Sequence, residues 1–202
     1  MATFGDLRSA LQGTPSDETW AAVCAVLGDL TKKKMTEEIR TYLEDTLTHS
    51  WPDDVLRFAP RDWVLLPSGN LKTPKRWHEH VAYCDALDLS NMGINNKRAS
   101  SLSDAPQLAH VRHLDLSNNE ISRSGFGDIF CSPHLGELRT IICSNNYFSK
   151  GTLADVADLG KHAPKLERFD FVGSYYEGLD GYVSELEAAL KAIGVSGTIS
   201  DY

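Results

Sequence analysis

Three stretches of nearly the same form recur at a fixed distance along the chain: ALDLSNMGI (86–94), HLDLSNNEI (113–121) and TIICSNNYF (140–148). Registered on Ser90, Ser117 and Ser144, they stand 27 residues apart. A fourth copy, LERFDFVGSYY (166–176), puts Val172 in that place 28 residues further on. A unit of this length is one supersecondary element that cannot bury its apolar face alone. Copies of it must stack, each covering its neighbour.

Within each copy the apolar residues keep their places. The first has Cys84, Leu87, Leu89, Met92 and Ile94; the second Val111, Leu114, Leu116, Asn119 and Ile121. The third has Leu138, Ile141, Cys143, Asn146 and Phe148; the fourth Leu166, Phe169, Phe171, Ser174 and Tyr176. Val81, Leu108, Leu135 and Ala163 precede them three positions back. Two apolar residues at period two point one face of a strand inward. The chain must then turn, and an Asn at the turn satisfies backbone groups that would otherwise be buried unpaired. Asn119 and Asn146 are placed for this, whereas Met92 and Ser174 depart from the pattern.

The pattern L-x-x-L-x-L-x-x-N-x-L at this period resembles the leucine-rich-repeat superfamily, and its 27–28-residue spacing resembles the ribonuclease-inhibitor-like class. The resemblance covers residues 78–202. It implies an α/β fold: a short right-handed solenoid of about four parallel strands with helices on the convex side.

Between the strands the periodicity turns helical over 97–108, 125–135 and 152–166, and Pro106, Pro133 and Pro164 are placed to end those helices. The clearest helix is 181–194, with Val183, Leu186, Ala189, Leu190 and Ile193 in one stripe and Gly194 at its C-terminus. SGTISDY (196–202) reads as a further edge strand with Ile199 inward.

Residues 1–77 carry no repeat and read as a helical capping region. Thr14 is a candidate N-cap followed by Pro15, with Trp20, Val23, Cys24, Leu27 and Leu30 on one face. Thr36 opens a second helix whose Ile39, Tyr42, Leu43 and Leu47 face inward. The spacing predicts a short helix over 51–60 and a strand over 62–67. All four tryptophans, Trp20, Trp51, Trp63 and Trp77, precede the first repeat and fit a core that covers the open edge of its strand.

The net charge of −8 disfavours nucleic acid and anionic membranes as partners. Lys32, Lys33 and Lys34 form the one basic run and read as a solvated turn. The first residues lack a basic region followed by an apolar run, so no signal peptide is expected, and no apolar stretch is long enough to span a bilayer. Cys24, Cys84, Cys131 and Cys143 show no paired spacing, which suits free thiols in a reducing, cytoplasmic setting.

Catalytic signatures are missing: no HExxH, no paired CxxC, no phosphate loop and no nucleophile elbow. His78, His80 and Cys84 are the best metal candidates, but two histidines two apart lie on different faces of a helix, and Cys84 has a core role. His110 and His113 flank a strand start and read as surface residues. No cofactor and no metal is therefore expected, and the chain reads as a non-catalytic module.

Residues alternating with the core leucines face outward in ladders: Asp85, Arg112, Arg139, Glu167; Ala86, His113, Thr140, Arg168; Asp88, Asp115, Ile142, Asp170; and Ser90, Ser117, Ser144, Val172. Tyr147 and Tyr175 share a loop position one repeat apart. Asp88, Asp115, Arg139, Ile142, Tyr147, Arg168, Asp170 and Tyr175 make the candidate partner-binding patch. What the resemblance implies is a protein partner bound through the concave sheet by a monomer. An inhibitor or immunity-type role against a basic partner is the sharper form. The alternatives are a metal-dependent hydrolase or transferase using the Trp/His region 63–84, and a scaffold that oligomerises through its C-terminal edge.

Overall fold

The computed structural model of the protein describes residues 2–30, 35–64, 77–172 and 182–200. Helix α1 (Phe4–Leu11) opens on a reciprocal cap, in which the Asp6 amide donates to Thr3 Oγ1 and the Thr3 amide donates to the Asp6 carboxylate at 2.7 Å. Its apolar stripe is a single pair, Leu7 and Leu11, too short for periodicity to register. Helix α2 (Asp17–Asp29) starts later than expected. Ser16, not Thr14, caps it by accepting from the Thr19 amide at 3.2 Å, and the Thr14 carbonyl instead takes the Thr19 hydroxyl. Helix α3 (Glu37–Ser50) begins on Thr36 as read. The inward faces of both helices are buried, with Tyr42 half-buried.

Residues 51–60 do not form the expected helix. Pro52 and Pro60 lack the amide a helix would use, and the intervening backbone finds a better partner. Phe58 pairs in parallel with Ala86. The Ala59 amide donates to the Ala86 carbonyl at 2.9 Å, and the amides of Asp85 and Ala86 donate to Arg57. The strand expected at 62–67 is also absent over its described part: Arg61–Trp63 is a 3-10 turn, and 65–67 lie outside the described residues.

Five short strands then form one sheet in chain order: β1 (Ala86–Asp88), β2 (His113–Asp115), β3 (Thr140–Ile142), β4 (Arg168–Val172) and β5 (Ile199–Ser200). Every neighbouring pair is parallel. The register follows the sequence period, with Ala86 beside His113, His113 beside Thr140, and Thr140 beside Arg168. Leu87, Leu114, Ile141 and Phe169 make an inward row that is wholly buried. Parallel neighbours need crossovers. These are α4 (Asn96–Ser103), α5 (Arg123–Phe130), α6 (Lys150–His162) and α7 (Tyr182–Ala192), each packed on the next. The chain is thus an α/β protein. Phe126, Phe148 and Phe171 fill the layer between later helices and strands, with ring centroids 4.2 and 4.5 Å apart.

Asparagine builds the turns twice over. Asn119 Nδ2 donates to the carbonyls of Leu89, Leu116 and Ser117, and its Oδ1 accepts from the amides of Met92 and Ile94. Asn146 repeats the device with Leu116, Cys143, Ser144 and the Ile121 amide. Asn91, Asn118 and Asn145, one place earlier, have φ between 53° and 57°. Asn tolerates that left-handed turn better than other residues with a side chain, which explains the recurrent "SN". Gly125 sits where α5 crosses α4: a Cβ there would stand 2.7 Å from Asn96 Oδ1.

The non-repeating part meets the repeats at a charged seam. Asp85, expected to face outward, is 2% exposed. It accepts from the Arg57 amide at 2.7 Å, pairs with the Arg57 guanidinium at 3.0 Å and is bonded to Arg112. Trp20 Nε1 donates to the Phe58 carbonyl at 2.9 Å, and all four tryptophans are buried.

Candidate functional site

The open face of the sheet brings most of the predicted patch together. The central ladder runs Asp88, Asp115, Ile142, Asp170 across adjacent strands. Its end members are held within the protein. Arg61 reaches Asp88 at 2.6 Å and Ser90 Oγ at 2.9 Å, and Arg168 pairs with Asp170 at 2.8 Å. Asp170, expected to be exposed, is buried and Asp88 is half-buried. Desolvation pushes both carboxyls upward, but hydrogen bonds from Arg61 and Ser90, and from Arg168 and Thr198, outweigh it. Both stay below the ordinary carboxylate range. Asp115 differs. It accepts from the Ser117 amide at 2.8 Å and has no cation within ion-pair reach among the described residues.

His113 is half-buried rather than a surface residue. Its ring meets Phe58 edge-on at 5.6 Å across the small Ala86, and burial lowers its pKa. Tyr147 follows the turn after β3 and is 46% exposed, alone among the large hydrophobic side chains of the described residues. Arg139 precedes β3 and lines a depression at the leading ends of the strands, so it and Tyr147 occupy opposite ends of that strand. Tyr175 and the basic run 32–34 lie outside the described residues.

The region 63–84 forms a second feature. A cleft of about 850 Å³ separates α2 from residues 58–63 and is lined by Trp63, His78, Arg61, Asp62 and Asp88. Trp63 and His78 stack with centroids 4.6 Å apart. His78 and His80, expected on different faces, have centroids 4.8 Å apart, because Glu79–Tyr83 is a 3-10 turn and His78 is extended. His80 is wholly buried with neither ring nitrogen in a well-formed hydrogen bond, and desolvation, only partly offset by the nearby Leu30 backbone, lowers its pKa to about 4. Cys84 is buried, and its thiol is pushed up by a hydrogen bond with Cys24 and by burial. No group of three or more His, Cys, Asp or Glu among the described residues is placed to hold a metal ion.

Sequence reasoning missed the cation pairing of Asp88, because nothing in the order of residues shows Arg61 folding back over the first strand. No helix among the described residues is long and apolar enough to cross a membrane. No protein-family model matches the chain, and no curated protein matches it.

Proposed function

We propose that the protein is a leucine-rich-repeat module of the ribonuclease-inhibitor-like class. Its role is to bind another protein through the open, concave face of the sheet and the loop that carries Tyr147. The 27-residue strand register and the two Asn-built turns support the family reading. One observation carries the functional reading: Asp115, a carboxylate with no ion-pair partner among the described residues, stands beside apolar Ile142 in the ladder, with exposed Tyr147 beyond the strand end. Arginine and aromatic anchors dominate interface energetics, and a buried partner cation on Asp115 would be charge-assisted. The partner is basic, a cytoplasmic enzyme masked by an acidic inhibitor, and the chain acts as a monomer without cofactor. The net charge of −8 would steer such an encounter.

Affinity capture with the wild-type chain and with an Asp115→Asn/Tyr147→Ala variant tests this. A basic protein held by the wild type, released at about 0.5 M salt and lost in the variant, is expected. Retention of the same partner by the variant, or indifference to salt, overturns it. A second reading, chemistry on a small ligand, draws on the Trp63–His78 stack lining the large cleft. Metal retained in purified protein, or an activity lost in His78→Ala, would favour it.

A further inference from the structure

One face of α2 carries Asp17, Ala21, Ala25 and Gly28 at helical spacing, and Asp29 is the last residue of the helix. All five are exposed, and all five line the cleft of about 850 Å³. Its other wall is the extended chain around Phe58 and the turn at Arg61–Trp63. The walls are held at both ends. Trp20 Nε1 donates to the Phe58 carbonyl at 2.9 Å, and a Cβ on Gly28 would stand 3.8 Å from the Trp63 ring. Between those contacts the small side chains of α2 leave a trough that packing does not close.

The charge of this trough does not balance. Asp17, Asp29, Asp62 and Asp88 line it against one guanidinium, Arg61, and Asp88 already takes Arg61 at 2.6 Å. Asp17, Asp29 and Asp62 have no ion-pair partner among the described residues. Asp29 is the sharpest case. The C-terminus of a helix repels a carboxylate, and no basic residue stands in the last turn of α2. Asp17 and Asp29 are 12 residues apart, so negative charge sits at two ends about 18 Å apart, with an apolar floor between. Asp62 precedes Trp63, beside Gly28, and so joins the Asp29 end.

We infer that the cleft binds a linear polyamine. Its methylene chain lies along Ala21, Ala25 and Phe58, and its ammonium groups meet Asp17 at one end and Asp29 with Asp62 at the other. A single metal ion or a short monoamine would leave one end uncompensated. The inference rests on the small-ligand reading only in seating a ligand in this cleft, and it requires no chemistry there. Neither Asp115 nor Tyr147 lines the cleft, so the protein-binding reading stands or falls separately.

The test is calorimetric titration of the whole chain with spermine at 0.15 M salt, where charges more than about 8 Å apart are largely screened. Saturable binding of one spermine is expected, with butylamine, which has one ammonium group, at least about tenfold weaker. Asp29→Asn/Asp62→Asn should weaken spermine about tenfold. Ala25→Leu, which fills the floor without changing charge and suits a helix, should weaken it by a similar factor. These positions are exposed, so the variants keep their fold, which circular dichroism checks. Heats that never saturate, or butylamine binding as tightly as spermine, overturn the inference. Loss in the aspartate variant with full binding in Ala25→Leu also overturns it, because that pattern marks diffuse attraction to an acidic surface rather than a seat in the cleft.

Discussion

Residues 84–172 and residues 2–59 bury the same kinds of side chain but are held in different ways. In the repeats, what Asn119 does is done again by Asn146, 27 residues later, and each strand meets the next in one register. In the described residues of the earlier part no contact recurs at a fixed spacing: its three helices share one kind of hydroxyl cap, at Thr3, Ser16 and Thr36, while the extended pairing at Phe58 and the Trp20 bond have no second copy. A periodic stack spreads its stability over nearest-neighbour interfaces. The earlier part shares one continuous apolar core with the repeats, and the polar bonds at the seam between them converge on Asp85.

The largest effect should therefore come from Asp85→Ala. It strands Arg57 and Arg112 at the seam and should cost about 3–5 kcal/mol in denaturant unfolding. If the loss is under about 1 kcal/mol, the seam is not what joins the two parts. Asn119→Ala comes next, at about 3 kcal/mol, because five backbone groups lose their partner at once. A cost under about 1 kcal/mol would remove the turn device from the account.

The same contrast explains how much was legible beforehand. The positions of the strands and of the two Asn turns follow from spacing, since each repeat is read against the others, and their parallel order is the expectation that the resemblance implies. The first 64 residues offer no second copy. There Pro60 and the edge pairing of Arg57–Ala59 overrode a local helical pattern, and Ser16 displaced Thr14 as the cap. On the candidate site, the outward ladders were readable from alternation. Which carboxylates are neutralised was not, because Arg61 and Asp88 are 27 residues apart and belong to different parts of the fold.

His80 sharpens the comparison with pH. The folded state holds it neutral to about pH 4, whereas an unfolded His titrates near its ordinary value of 6.5. Between those values the unfolded chain binds the extra proton. Stability is full above about pH 6.5 and falls as pH drops toward 4, by up to about 3 kcal/mol. His80→Leu should flatten that part of the melting-temperature profile, with the larger gain at pH 4.5 than at pH 7.5. An unchanged slope would assign the acid sensitivity to other groups. Half-buried His113 contributes in the same direction. The smallest stability effect belongs to Tyr147→Ala, within about 0.5 kcal/mol, since that side chain is exposed; partner capture should nonetheless fall.

Native-state hydrogen exchange on Asp85→Ala, read residue by residue, tests the division between the two parts most directly. Protection should collapse in α1 to α3 and at Ala59, with some fraying of β1, while the amides of Leu116, Cys143 and Phe171 keep theirs. Equal loss across all of these amides would mean that one undivided cooperative unit, rather than a stack with a separately attached cap, holds this chain together.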